Sequence, residues 1–391
     1  MNYAELSALL EPLGQEALRT AVELAPREED YLRHFQALSR RDAPELARAA
    51  LEVAIQRGKA AVKFPFADRL YFTREALEQA SPWEVAIYRA GRFRGFERLL
   101  DLGCSAGGDT LALAGVAPAT GLDLDPLRLA MGRLNAQALE LGERARFVQA
   151  DLRQPLPFRK LEGAALFFDP ARRSAGRRLR SVQSYQPPLD ILRTWLVDYP
   201  ALGVKISPGV DLAQVEAYEA EVEFISLHGE LKEAALWFGP LKTARHRATL
   251  LPGGQSLVDG GAGPLPTSQP RAYIYEPDPA VLRAGLVAEL GEQIGAVQLD
   301  PDIAYLTGDR RVQTPFARLW AVEGWLPFNV KKLRTYLRQR GVGQVTVKKR
   351  GSPLQPDELL RLLRLQGDEQ RVVFLTHLRG EPIAVVAYPN R

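Results

Sequence analysis

One stretch limits what this chain can become more than any other: Leu99-Leu100-Asp101-Leu102-Gly103-Cys104-Ser105-Ala106-Gly107-Gly108-Asp109 reads as a buried strand entering a glycine-rich turn and then a helix. Gly103 and Gly107 lack a Cβ, so the turn can take unusual φ/ψ values and let a ligand approach the backbone. A plain tight strand-to-helix connection has the same signature, and the segments after it discriminate. Ala119-Thr120-Gly121-Leu122-Asp123-Leu124 carries Asp123 about 20 residues beyond the glycines, where Rossmann-type sheets hold ribose hydroxyls. Asp125 and Pro126 then suit the N-cap and first turn of a helix. A third apolar segment, Arg146-Phe147-Val148-Gln149-Ala150-Asp151, and a fourth, Ala164-Ala165-Leu166-Phe167-Phe168-Asp169, also end in carboxylates. Four such strand ends in order predict a doubly wound α/β sheet with a ligand crevice along its carboxyl edge.

A nicotinamide dehydrogenase also has a glycine-rich first loop and an acid after its second strand, so the loop spacing must arbitrate. It runs Asp-x-Gly-x-Ser-x-Gly from Asp101 to Gly107, not the Gly-x-Gly-x-x-Gly that brings a pyrophosphate to a helix N-terminus. An acid at Asp101 disfavours a pyrophosphate and suits a cationic ligand. The adenosine-containing ligand with an ammonium and a sulfonium is S-adenosylmethionine.

These residues resemble the class I S-adenosylmethionine-dependent methyltransferases, and more narrowly the bacterial members with a C-terminal THUMP-like domain. The likeness runs from about Leu70 to the C-terminus, through Phe72-Thr73-Arg74-Glu75-Ala76-Leu77-Glu78-Gln79-Ala80, Asp169-Pro170-Ala171-Arg172-Arg173, Leu326-Pro327-Phe328-Asn329 and Lys348-Lys349-Arg350-Gly351. The resemblance implies a Rossmann-like α/β methyltransferase sheet with a ferredoxin-like or THUMP-like α/β appendage, while an N-terminal helical domain is read from helical spacing such as Leu46-Ala47-Arg48-Ala49-Ala50-Leu51-Glu52-Val53-Ala54-Ile55. The resemblance also implies that Asp101, Gly103, Ser105 and Gly107 line the methionine end of the cofactor, with Asp123 on the ribose and Asp151 on the adenine amino group.

Composition fits an intracellular enzyme. At 391 residues the chain has room for two to four domains, and 46% hydrophobic residues suffice for ordinary cores. The single cysteine, Cys104, excludes an internal disulfide or a cysteine metal cluster. The start Met1-Asn2-Tyr3-Ala4-Glu5-Leu6 lacks the basic, apolar pattern of a secretory signal, and no run of about 18 apolar residues predicts a membrane span. A cytoplasmic protein is expected. We expect a helical domain over 1–75, a methyltransferase domain over 76–250, a small α/β unit over 265–322 and a THUMP-like basic domain over 323–391. Ser81-Pro82-Trp83-Glu84 reads as a capping box, Asp278-Pro279 as the start of a helix reaching Leu290, and Trp320 and Trp325 as staples of a hinge into the last domain.

Net charge is only +4, yet two stretches are wholly basic. Between Ala171 and Arg180 stand five arginines and no acid: Arg172, Arg173, Arg177, Arg178 and Arg180. Between Lys331 and Arg350 stand eight lysines or arginines and no acid, including Lys331, Lys332, Lys348, Lys349 and Arg350. A solvated basic face is the ordinary explanation of one cluster. Two clusters, one abutting the expected cofactor crevice, point to phosphates and so to nucleic acid. The choice of RNA over DNA comes from the THUMP-like resemblance.

Methylation at a pyrimidine C5 needs a cysteine that adds to the ring, and Cys104 lies in the cofactor loop. Direct displacement by a nitrogen or oxygen lone pair remains, and it depends on in-line positioning. Asp169-Pro170-Ala171-Arg172 resembles the Asp/Asn-Pro-Pro-aromatic loop of amino-methyltransferases, which implies that Asp169 and Pro170 orient an exocyclic amine. Ala171 and Arg172 depart from that pattern. Arg172 can stack on a base or hold a phosphate, and Tyr185 is a candidate replacement ring. A rival set, Asp169, Lys205 and Glu233, is similar to the tetrad of ribose 2′-O-methyltransferases, but Phe64 to Phe158 supplies no first lysine, only arginines such as Arg89. A non-catalytic RNA-binding scaffold with a vestigial pocket, or a small-molecule or protein methyltransferase, are further readings. The four histidines, His34, His228, His246 and His377, have no metal-ligand spacing, and no metal is expected.

Overall fold

The computed structural model describes the chain except Arg159, Ala175, Gly176, Leu179, Arg180, Asn390 and Arg391, and except the side chains of residues 173, 174, 177 and 178. Its described residues divide into two compact units, Met1–Glu221 with Lys232–Thr243, and Val222–Leu231 with Ala244–Arg391.

The first unit opens with four helices, α1 (Tyr3–Leu10), α2 (Pro12–Glu23), α3 (Tyr31–Leu38) and α4 (Pro44–Ala60). Asn2 caps α1 through a reciprocal box with Glu5, and prolines stand in the first turns of α2 and α4, where no donor is lost. Their core, built on Leu9, Leu18, Ala50, Leu51 and Val53, is continuous with Phe64, Phe72, Ala106 and Met131. The helical segment therefore packs onto the glycine-rich turn itself. Two further helices, α5 (Arg74–Gln79) and α6 (Trp83–Gly91), lead to the sheet. Here the expected capping box fails: Pro82 is the N-cap of α6 and makes no side-chain cap bond. The Ser81 hydroxyl is drawn instead to buried charge, donating to Glu233 at 3.2 Å and accepting from Arg89 at 2.9 Å.

Strands β1 (Arg98–Leu102), β2 (Ala119–Asp123), β3 (Ala145–Gln149), β4 (Ala164–Phe168) and β5 (Leu202–Ile206) alternate with α7 (Gly108–Ala114), α8 (Pro126–Ala138) and α9 (Leu192–Asp198), and β6 (Glu221–Leu227) and β7 (Glu230–Phe238) follow. In the first unit the order is β7-β5-β4-β1-β2-β3, parallel except for β7. β1 and β4 are neighbours, and from them the chain winds outward in opposite directions. Such a switch point opens a crevice at the strands' carboxyl ends. Both faces are covered, so β4 and β5 are buried throughout.

In the second unit β8 (His246–Leu251) runs parallel to β6 and antiparallel to β9 (Gln255–Val258). A seven-stranded sheet follows, formed by β10 (Tyr273–Pro277), β11 (Val297–Asp300), β12 (Ile303–Gly308), β13 (Ala317–Pro327), β14 (Val342–Lys349), β15 (Glu369–Leu378) and β16 (Glu381–Ala387). Its order is β11-β12-β10-β13-β16-β15-β14. The boundary expected at residue 322 falls inside β13, which pairs with β10 through its first half and β16 through its second. Trp320 and Trp325 accordingly flank no hinge; Trp320 packs edge-on against Phe374, ring centroids 5.2 Å apart, in the core of this sheet. The helix expected to reach Leu290 is two, α10 (Pro279–Ala284) and α11 (Val287–Ile294), parted at Gly285 in the left-handed region. Helices α12 (Val330–Arg338) and α13 (Pro356–Leu363) pack Leu333, Leu337, Leu359 and Leu363 against β14, β15 and β16.

Candidate active site

Along the carboxyl edge of β1, β2, β3 and β4 lies a cavity of about 460 Å³. Its walls come from the Gly103–Ala106 turn, from Asp123 and Leu124, from Asp151 to Arg153, and from Asp169 and Ala171. Gln186-Pro187-Pro188 and the residues Phe72, Ala76, Gln79 and Ala80 of the α5 region close it. Three of the four expected carboxylates thus share one cavity.

The turn after β1 depends on its glycines. Gly107 is the N-cap of α7 at φ +85°, and Gly103 has φ +83°, with the position of an added Cβ only 2.6 Å from the Asp169 carbonyl oxygen. Bare backbone at 103 is what lets the turn after β1 meet the turn after β4. The Asp123 carboxylate pins this arrangement, accepting the Ser105 N–H and the Asp125 N–H, each at 2.9 Å. Ser105 lines the cavity with a buried hydroxyl that has no partner among the described residues. A ligand with hydrogen-bonding groups fits there.

Asp101 behaves differently from the expectation that it faces the ligand. It is wholly buried in the sheet, paired in register with Gly121 on one side and Phe167 on the other, and it does not line the cavity. Its Oδ2 accepts a hydrogen bond from the Thr110 hydroxyl. Gly121 leaves the room for that contact, since a Cβ there would stand 2.7 Å from Thr110 Oγ1 and 2.8 Å from Cys104 Sγ. Burial, reinforced by neighbouring Asp109, pushes the Asp101 carboxyl well above the usual carboxylate range, against the Thr110 hydrogen bond. A carboxyl held toward its neutral form contributes little charge to a cationic ligand. Gly107 likewise shapes the turn from outside the cavity wall. Burial also pushes the Cys104 thiol up, away from the thiolate a nucleophile needs.

Beneath the cavity the buried charges bring together the rival set read from the sequence, Asp169, Lys205 and Glu233, and join it to Arg89, Asp109 and Ser81. Arg89 lies over the Phe167 ring at 4.6 Å, bonds Asp109 and Ser81, and reaches Glu233 at 2.9 Å. Burial alone would lower its pKa, but Asp109 and Glu233 raise it, so its charge is secure. Burial raises Glu233, and Arg89 and Lys205 oppose the shift. Lys205, also buried, donates to Asp169 Oδ2 at 2.6 Å and to the Gln79 carbonyl at 3.2 Å. Helix spacing placed Arg89 in α6, but nothing local showed that its partners lie in α7 and β7. The Phe72–Ala80 stretch was visible only through its family likeness.

Several expected site residues differ from the reading made of them. Tyr185 is 1% exposed and its hydroxyl accepts the Ser207 N–H at 3.3 Å, so its ring is core and cannot stack on a base. Arg172 donates to the Ile206 carbonyl at 3.2 Å and stands 3.9 Å from Asp169, outside the cavity wall, while Pro170 is buried behind it. Asp151 lines the cavity, but Arg153 grips both its oxygens at 2.6–3.1 Å and lowers its pKa to about 2. The side chains of Arg173, Arg177 and Arg178 lie outside the described residues, as does Arg180.

The C-terminal basic stretch is not one face. Lys331 and Lys332 are exposed at the start of α12. Lys348 pairs with Glu276 at 2.5 Å, Arg350 stands 3.9 Å from the same carboxylate, and Lys349 donates to Gln355 at 2.9 Å. Among the described residues no group of three or more His, Cys, Asp or Glu could hold a metal ion, and no helix is long and apolar enough to cross a membrane.

Comparison with known proteins decides the family. The chain is 38% identical over 326 residues to an S-adenosylmethionine-dependent methyltransferase of Mycobacterium tuberculosis strain CDC 1551 / Oshkosh, with 82% of this chain and 88% of that protein covered. The chain belongs to the S-adenosylmethionine-dependent methyltransferases. A protein of the same description from strain H37Rv matches equally, at 38% over 82% of this chain and 88% of its own. Residues 317–389 of this methyltransferase match a THUMP domain-like family model, and residues 2–60 a domain of unknown function. A crystal structure from Porphyromonas gingivalis W83, described as a methyltransferase, superposes at TM-score 0.81 with 21% identity over all of both chains, and so shares the fold. The cofactor of this methyltransferase is S-adenosylmethionine.

Proposed function

We propose that this methyltransferase transfers the methyl group to an exocyclic amino nitrogen of a base in structured RNA, with the cavity at β1–β4 holding the cofactor and Asp169 presenting the amine. Bound S-adenosylmethionine supplies a sulfonium methyl. Asp123 would hold the ribose hydroxyls beside the Gly103–Gly107 turn, the Ser105 hydroxyl would find its missing partner in the ligand, and Asp151 would meet the adenine edge while still held by Arg153.

The observation that carries the choice of nucleophile is the position of Lys205. It is tied to Asp169 at 2.6 Å and to the Gln79 carbonyl, two residues of the cavity wall, yet does not itself line the cavity. A lysine set behind the wall orients the carboxylate; a base that removes a hydroxyl proton must reach the substrate. Asp169 then offers its remaining oxygen to an amine N–H. The nitrogen lone pair forms the new N–C bond as the C–S bond breaks, and the proton leaves the resulting ammonium to water. Arg172, 3.9 Å from the Asp169 carboxylate, would help hold it in place from outside the cavity wall. RNA as the carrier of that base is supported by the THUMP-like segment and by the exposed Lys331 and Lys332.

Mass spectrometry of RNA nucleosides from cells with and without the gene tests this reading. Loss of one base-N-methylated nucleoside is expected. Loss of a ribose-methylated nucleoside, or an unchanged RNA profile, overturns it.

A further inference from the structure

The second unit contains a cavity of its own, about 510 Å³, between the turns that follow β6 and β8, the end of β10 and the start of β13. Its charges are unequal once their partners are counted. On the acidic side, Asp278 is committed as N-cap of α10, accepting the Ala280 N–H at 2.8 Å, and Glu276 is bound by Lys348 at 2.5 Å with Arg350 3.9 Å away. On the basic side, Arg318 is exposed and has neither ion pair nor hydrogen bond among the described residues. Arg350 and His228 also line the cavity.

The absence of a partner for Arg318 is informative because one stands opposite. Glu276 is its cross-strand neighbour in the β10–β13 register, the position from which opposite charges normally pair. Lys348 has taken that carboxylate. The Arg318 guanidinium lies instead against the turn at His228 and Gly229, whose φ values are +53° and +79°, and a Cβ at 229 would stand 3.0 Å from its Nη2. Glycine at 229 therefore supplies both the turn geometry and the space for the guanidinium. Ser226, 1% exposed, lines the same cavity with a hydroxyl that has no partner among the described residues. A planar fork of donors, a second guanidinium and a hydroxyl suit a tetrahedral oxyanion.

We propose that this cavity binds a phosphate group of the RNA substrate through Arg318, assisted by Arg350 and Ser226. The proposal rests on the RNA reading above and adds a contact that the basic stretches of the sequence do not contain, since Arg318 lies outside both.

The test uses the full chain and a mixed transfer RNA pool, measuring affinity by fluorescence anisotropy over a salt series for the wild type, Arg318→Glu and Arg318→Lys. Arg318 is exposed, so neither change endangers the fold. Arg318→Glu is expected to lower the slope of log K against log salt by about one, with most of it restored in Arg318→Lys. Hydrogen exchange should show RNA-dependent protection around residues 226–229 and 315–318. If the wild type binds RNA but Arg318→Glu has the same slope and no protection develops, the phosphate site is wrong and the RNA reading stands. If the wild type does not bind RNA, inorganic phosphate becomes the probe. Phosphate-dependent protection of the same segments that Arg318→Glu abolishes would keep the anion site and remove the RNA reading; its absence removes both.

Discussion

The charges beneath the cavity at β1–β4 and those of the C-terminal basic stretch look alike on paper, as acids and bases scattered along a chain of nearly balanced charge, yet the fold uses them in opposite ways. Below the cavity, Arg89 and Lys205 are both 2% exposed and each is held by carboxylates from elements distant in sequence. In the second unit, Lys348 and Arg350 are part-exposed around one carboxylate, while Lys331, Lys332 and Arg318 face solvent. Buried charge must be paired to be tolerated, so its role is architectural. Exposed charge costs little and is available to a partner.

That contrast breaks first, and most visibly, at Arg89. Arg89→Met takes the cation from between buried Glu233 and part-buried Asp109, and thermal or chemical unfolding should show a loss of about 3–5 kcal/mol. An effect as small as a surface substitution would remove the distinction between the two regions. Next in size is Asp123→Ala, which frees the Ser105 and Asp125 amides and removes the proposed ribose acceptor. Calorimetry should find S-adenosylmethionine binding weakened roughly 10–100-fold with the fold retained.

Asp101→Asn should do much less. Because burial raises the Asp101 pKa, its contribution to stability is fullest below its unfolded pKa and is lost as pH rises toward the folded value. The asparagine variant should therefore lose part of the decline in stability that sets in as pH rises above the ordinary aspartate pKa of about 4, and bind the cofactor within a few-fold of wild type. A collapse of affinity in this variant would mean that Asp101 acts as a charge after all. The smallest effect is expected from Lys348→Ala with Arg350→Ala, set against Lys331→Ala with Lys332→Ala. In RNA binding over a salt series, the exposed α12 pair should reduce the slope by up to about two, and the Glu276-bound pair by less. Equal reductions would show that ion pairing within the second unit does not withhold cations from RNA.

Much of the first unit was legible without coordinates. The acids at the ends of β2, β3 and β4 and the glycines after β1 follow from local spacing, because strand length and turn geometry are set by neighbours in the chain. Asp125 caps α8 as its Asp-Pro start predicts, accepting from Leu127 and Arg128. Readings that depended on distant partners fared worse. Ser81 has the chemistry of a cap but donates to Glu233, 152 residues away. Tyr185 has the chemistry of a stacking ring but fills core. The eight cations from Lys331 to Arg350 read as one patch because Glu276, on another strand of the same sheet, is invisible to a count along that segment.

The sequence by itself determined the fold of the cofactor half, its glycine turn, its switch-point crevice and the row of strand-end acids, since each is a local pattern with a local physical cause. Only the tertiary structure decided what each charge does. It buried Asp101 away from the cavity, placed Lys205 behind Asp169, joined Arg89 to Glu233 and left Arg318 without the carboxylate opposite it. Those outcomes depend on burial and on which strands become neighbours, because the cost of a charge is set by the solvent and partners around it and not by its place along the chain.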